Sequence, residues 1–373
     1  MVKIVIDAMG GDFAPQQQVA GAVAALAKDK DLALILVGDE EQIKAELAGK
    51  DYDATRLEIV HTTETITMDD IPTKAVKAKK DSSLVVAFRM LKEGKADGLV
   101  SSGSTGAVLT AGVLILGRLK GVSRPALCPA IPNHKGTATL ICDCGANLEC
   151  KPINLVHFSL MATAYAQSVY GLENPTVGLL NNGTEDHKGL ALQQETNAIL
   201  KQVDCVHYIG NVEARDLMYG ENVDIIVCDG FTGNIATKAV EGCGKAISTI
   251  IKRSFTKNLW AKLRAVLCGD ILKNVKKGID YEACGGATFL GLTKPVVKGH
   301  GNSKAKGFAV CISQAANAAR NDLTGKLSTL LSKVDMEKLA EQTKEMQAAK
   351  EEAFTHSSFA GKYNMRSNER MEY

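Results

Sequence analysis

Five glycine-containing turns hold most of the side chains able to do chemistry. The first, residues 7–12, sets Asp7 and Asp12 around Gly10 and Gly11, where the missing Cβ atoms admit a ligand to the backbone or simply allow a tight turn. The second runs through Ser102, Gly103, Ser104, Thr105 and Gly106 into an apolar stretch. Hydroxyls and free N–H groups at such a helix start suit an anion, although Ser104 could equally be a plain N-cap. The third, residues 181–189, contains Gly183 and Lys188, whose ammonium could neutralise phosphate or polarise a thioester carbonyl. In the fourth, residues 228–234, Asp229 could orient a donor or act as a base, and Gly233 and Asn234 with nearby N–H groups could hold phosphate or an oxyanion. Helix capping is the other use of the same Asp and Asn. The fifth, residues 299–304, carries His300 between two glycines, as a proton carrier in a substrate loop or as a turn residue.

The elements that would position these turns are legible in outline. Val/Ile/Leu-rich runs at 3–7, 33–37, 98–101, 138–142, 176–180, 206–209 and 224–228 predict strands. Helical spacing at 16–28, 82–93, 105–119, 153–170, 190–202 and 234–252 fills the gaps. Continuous apolar strands alternating with helices predict an α/β fold, with a mainly parallel sheet covered by helices on both faces. Ligands then gather outside the carboxyl ends of the strands, which is where the turns fall. One α/β unit is expected over residues 1–330, with room for two subdomains around a cleft, followed by a polar helical extension over 331–373.

Several functions lose their support. Neither G-x-x-x-x-G-K-[ST] nor G-x-G-x-x-G occurs, so ATP and dinucleotide cofactors are not expected; no G-x-S-x-G elbow marks a serine hydrolase. A formal net charge of +2 gives no field selecting nucleic acid. The ten cysteines include Cys142, Cys144 and Cys150, but they lack paired C-x-x-C spacing, so no metal is expected. The opening MVKIVIDAMGGD has no signal-peptide pattern, and a cytoplasmic protein with reduced thiols is the expectation. The apolar run 107–117 is about half of a membrane span.

Residues 251–267 have amphipathic helical spacing. Ile251, Phe255, Leu259, Leu263 and Val266 fall on one side beside Trp260, the chain's single tryptophan, with Arg253, Lys257 and Arg264 opposite and Lys252 and Lys262 intruding on the arc. A helix lying on an anionic membrane fits this pattern. A core or dimer helix fits it as well, and the basic side could instead receive an acidic carrier protein.

Taken in order, IDAMGGD at 6–12, MDDIPTKAVKAKKDSS at 68–83, SSGSTGA at 101–107, GANLECKP at 145–152, LLNNGTEDHKG at 179–189, GNVEARD at 210–216, CDGFTGN at 228–234 and GHGNSKA at 299–305 form a specific set. The chain resembles the bacterial phosphate acyltransferase family (acyl-acyl-carrier-protein:phosphate acyltransferase) over roughly residues 1–330. Asn182 and Cys144 depart from commoner family forms without removing a candidate catalytic group. The resemblance implies a fold like phosphate acetyltransferases and isocitrate-dehydrogenase-like proteins, usually homodimeric. It implies long-chain acyl transfer from an acyl-carrier protein to inorganic phosphate. The acyl phosphate would pass to a membrane glycerol-3-phosphate acyltransferase, and the enzyme would associate with the membrane peripherally through Phe255, Leu259, Trp260 and Leu263. A thioester is already activated and phosphate is a competent nucleophile, so positioning and charge stabilisation suffice without a covalent Ser or Cys. On that mechanism Ser104, Thr105 and the N–H groups near Asn234 hold phosphate, Lys188 offsets charge and Asp229 orients Lys188 or phosphate. A short-chain phosphate acetyl- or butyryltransferase using coenzyme A, and a non-enzymatic membrane scaffold, are the rival readings.

Overall fold

A computed structural model describes residues 1–278, 284–335, 338–339 and 341. Twelve strands lie within them: β1 (Val2–Asp7), β2 (Leu32–Gly38), β3 (Leu57–His61), β4 (Gly98–Ser101), β5 (Ala126–Cys128), β6 (Ala130–Pro132), β7 (Ala138–Cys142), β8 (Thr176–Leu180), β9 (His207–Val212), β10 (Ile225–Val227), β11 (Ala287–Leu290) and β12 (Val296–Lys298). The expected parallel sheet is in fact two sheets. Seven strands run in the order β3-β2-β1-β4-β12-β11-β5 and five in the order β6-β7-β10-β8-β9. All neighbours are parallel except β11 with β12, β11 with β5, and β6 with β7.

Strand periodicity explains the two covered faces. On β1 and β2, Val5, Ile35 and Val37 point to one side and pack against Leu84, Val85 and Phe88 of the helix Ser83–Lys92. Ile4, Ile6, Leu34 and Leu36 point to the other side and meet the helices Gln16–Lys28 and Ala305–Arg320. Full burial of each such Ile or Leu contributes roughly 1.5–3 kcal/mol. A sheet apolar on both faces cannot be left uncovered on either.

One helix ties the two sheets together. Pro152–Val169 buries 15 of its 18 residues, so it is apolar nearly all round and must be enclosed. Its residues share a core with Ala126, Cys128 and Leu290 of the first sheet and with Leu140, Val177, Leu179, Ile225 and Val227 of the second. Its Tyr165 hydroxyl bonds Thr288 Oγ1 on β11 and accepts from Gln314 Nε2 of the helix Ala305–Arg320.

Three boundaries differ from expectation for local reasons. The helix expected over 105–119 is α-helical over Thr105–Ala111, continues as a π turn over Gly112–Leu116 and stops at Gly117, whose φ of 96° glycine adopts at little cost and other residues do not. The helix expected from 234 begins earlier, at Gly230, because Asp229 caps it. The single amphipathic helix expected over 251–267 is broken. Gly230–Thr256 ends there, and Asn258 starts Leu259–Leu267 by accepting a hydrogen bond from Ala261 N. Most of the extension expected over 331–373 lies outside the described residues. No helix among the described residues is long and apolar enough to cross a membrane.

Candidate active site

β1, β4 and β12 are parallel neighbours, so the loops at their carboxyl ends share one edge of the first sheet. β7, β10 and β8 do the same in the second sheet. Loops from both edges line a cleft of about 680 Å³. Thr105, Lys298 and His300 come from the first sheet's side; Cys144, Asn234 and Glu241 come from the second's.

On the first side the glycines let three loops touch. A Cβ on Gly10 would lie 2.4 Å from Asp7 Oδ2 and 2.8 Å from Gly103 N, and Gly11 has φ 109°. Asp12 N donates to the Gly301 carbonyl at 2.8 Å, joining the first and fifth turns. Asp7 itself is buried, with Ser83 Oγ and Ser101 Oγ each donating to it at 2.6 Å. Burial pushes its carboxyl up and the two hydroxyls pull it back. Asp7, Gly10, Gly11 and Gly103 thus build the floor of the loops and do not line the cleft. Gly106 meets Pro72, with 2.8 Å from a built Cβ to the proline ring, and is a packing position. Ser104 occupies the N-cap position without a side-chain cap bond, which leaves the first-turn N–H groups beside Thr105 without a side-chain acceptor.

On the second side Asp143, which the sequence does not mark, organises the loop. Its carboxylate accepts from the backbone N–H groups of Leu127, Cys144, Ala146 and Asn147 at 2.6–3.3 Å and from Asn147 Nδ2 at 2.9 Å. Burial pushes its carboxyl up against the pull of these donors. Gly233 lies so close to this loop that a Cβ would sit 2.0 Å from the Asp143 carbonyl oxygen. Asp229 is a cap: it accepts from Thr232 N at 2.9 Å and Thr232 Oγ1 at 2.7 Å. Gly230 N donates to Asn147 O and Gly233 N to Asp229 O, so the N–H groups expected to hold phosphate near Asn234 are largely used within the protein. The Asn234 side chain remains on the cleft wall. Cys144 also lines it, but burial pushes its thiol up to about 12, which keeps it protonated and a poor nucleophile.

Lys188 and Gly183 lie in the turn after β8, one strand over from β10. That turn is held by Asn181 Nδ2 donating to the Lys188 carbonyl and Asn211 Nδ2 to the Glu185 carbonyl. Lys188 is half-buried and does not line the cleft. His300 does, with Nε2 3.2 Å from Glu241 Oε1, and Lys238 Nζ is 2.8 Å from Glu241 Oε2. Burial works against charge on Glu241, yet the bonds from His300 and Lys238 outweigh it and bring its carboxyl down to about 2. A buried lysine, Lys298, completes the wall.

A family model described as "Fatty acid synthesis protein" matches residues 2–326. A phosphate acyltransferase of Clostridioides difficile is 46% identical over 90% of this chain and 98% of its own length. The chain belongs to the phosphate acyltransferase family. Similar proteins named phosphate acyltransferase from Brevibacillus brevis and Clostridium tetani are 45% and 42% identical over 98% and 99% of their lengths. Membership makes this chain an acyltransferase of fatty acid synthesis. The fold also matches a phosphotransacetylase of Streptococcus pyogenes (TM-score 0.57, 18% identity, 86% of this chain and 94% of that one) and the EutD phosphotransacetylase of Staphylococcus aureus (TM-score 0.54, 17% identity, 85% and 94%). Both neighbours share the architecture expected from the sequence.

Proposed function

We propose that this acyltransferase moves a long-chain fatty acyl group from an acyl-carrier-protein thioester to inorganic phosphate. The observation that carries the reading is a cleft with two kinds of wall. Thr105, Asn234, His300 and Lys298 supply donors, while Leu127, Pro129, Ile131, Met218 and Val240 supply apolar surface for an acyl chain beside them. An oxygen of HPO₄²⁻ attacks the thioester carbonyl, the C–O bond forms and the C–S bond breaks. The phosphate proton ends on the carrier sulfur, leaving acyl phosphate and free thiol. His300, oriented by Glu241, is placed to move that proton. Lys188 at the neighbouring strand end compensates charge as the carrier arm enters, and Asp229 keeps the helix bearing Asn234 in register.

The product is a reactive acyl donor suited to a membrane glycerol-3-phosphate acyltransferase. Leu259, Trp260 and Leu263 are 82%, 71% and 53% exposed on the short helix Leu259–Leu267, and we read that helix as a peripheral membrane contact. Phe255, across the break, is half-buried and contributes less. Exposed Ile247 and Ile250 on the preceding helix suit self-association as a homodimer.

Purified protein incubated with palmitoyl-acyl-carrier protein or palmitoyl-coenzyme A, with and without phosphate, is expected to yield palmitoyl phosphate by mass spectrometry only when phosphate is present. Turnover with acetyl-coenzyme A alone would favour the short-chain reading. Absence of any acyl phosphate from folded protein would reject both.

A further inference from the structure

We propose that Lys298 is the cation that holds inorganic phosphate in the cleft, a role that rests on the acyltransferase reading above. Lys298 ends β12, where it pairs with Ser101 of β4, so strand geometry rather than a loop fixes its position. The residue is only 9% exposed, yet it lines the cleft. Its ammonium donates to the adjacent Gly299 carbonyl, and among the described residues no carboxylate forms an ion pair with it. A second unmatched group lies against the same glycine. Ser102 is fully buried, its Oγ has no hydrogen-bond partner, and a Cβ on Gly299 would sit 2.5 Å from that oxygen.

A buried ammonium without a counter-ion and a buried hydroxyl without a partner each cost stability, and nothing in the packing of β12 needs either. An anion seated in the cleft beside Gly299 would satisfy the ammonium; the Ser102 hydroxyl lies behind the glycine, off the cleft wall. Two carboxylates act on Lys298 through space, Asp12 and Asp7, together with the like charge of Lys238 and the buried Cys311; Asp7 is committed to Ser83 and Ser101, and Asp12 is exposed and makes no ion pair with the ammonium. Burial also brings the Lys298 ammonium down to about 8, so the empty site loses its charge as pH rises through that value and a bound anion restores it. Lys188, a loop residue away from the cleft wall, has none of these features. Lys298 therefore grips oxygens of phosphate that do not attack, and its removal should weaken phosphate without touching the acyl donor.

Two measurements test this. In Lys298→Met, KM for phosphate is expected to rise about 10- to 100-fold, the size of one lost charge-assisted contact. KM for the acyl donor should stay within about twofold, and Lys298→Arg should recover part of the loss. An unchanged phosphate KM, or an equal rise for both substrates, overturns the proposal. In the unmodified enzyme, Lys298 should react with an N-hydroxysuccinimide ester, read by peptide mass spectrometry, and inorganic phosphate should protect it. Labelling indifferent to saturating phosphate overturns the proposal even if the Met variant does not fold. If the unmodified enzyme makes no acyl phosphate, it is the reaction that fails, and phosphate protection still decides the binding site.

Discussion

Thr232 occupies both carboxylate oxygens of Asp229 through its backbone N–H and its hydroxyl, so that side chain is committed to starting a helix. Lys188 is in the opposite position. It braces no carboxylate among the described residues, and only its backbone N–H and carbonyl hold its turn closed. Lys188→Ala should therefore leave thermal unfolding unchanged while lowering acyl phosphate turnover from the carrier-bound donor, by about tenfold for one lost charge-assisted contact. Near-normal turnover would remove Lys188 from the mechanism. At this scale the sequence marks the turns where glycines allow close approach: Gly10 and Gly103 brace the loops behind the cleft, and Asn234 reaches its wall. It is silent on Lys298 and Asp143. Lys298 sits in the run Val296-Val297-Lys298 and looks like an ordinary strand end. Asp143 matters only because four backbone N–H groups converge on it, and no local pattern encodes that convergence.

Elements that were legible are those whose periodicity is long or whose flanks are punctuated. Apolar parallel strands such as β1, β2, β4 and β8, and even the three-residue β10, stand out, whereas β3, with Glu58 and His61 among its five residues, does not. β5, β6 and β12 have three residues each and merge with their loops, and β11 pairs antiparallel to both neighbours. β5, at the edge of the first sheet, packs against β7 of the second. The amphipathic segment shows a different limit, since spacing across 251–267 stays helical although Asn258 restarts the helix. The exposed apolar residues are then concentrated on the second, nine-residue helix. Leu259→Glu with Trp260→Glu should abolish flotation with anionic liposomes, while size-exclusion chromatography shows an unchanged oligomer and turnover on soluble substrate persists. Unaltered flotation would place lipid contact elsewhere, and loss of the oligomer would reassign this helix to self-association.

Across the whole molecule, two sheets share one apolar core, and buried ionisable groups sit at their strand ends: Asp7 and Lys298 in the first sheet, Asp143 in the second. Asp7 and Asp143 have raised pKa values, so any stability they add through protonation is complete below 3.8 and is lost as pH rises through their folded values. Lys298 has the opposite linkage. Its folded value of about 8 lies below the ordinary 10.5, so the cost of burying its charge is full below pH 8 and fades between 8 and 10.5. The interval from 10.5 to about 8 corresponds to about 3 kcal/mol, net of what the ammonium's neighbours return. Lys298→Met should therefore unfold a few degrees higher than the parent at pH 7, with the advantage shrinking toward pH 10.5. Thermal unfolding in phosphate-free buffer measures it. A lower unfolding temperature at pH 7 would mean that the ammonium braces its strand end. A higher one, together with weakened phosphate use, is the signature of a charge kept for its ligand at the expense of the fold.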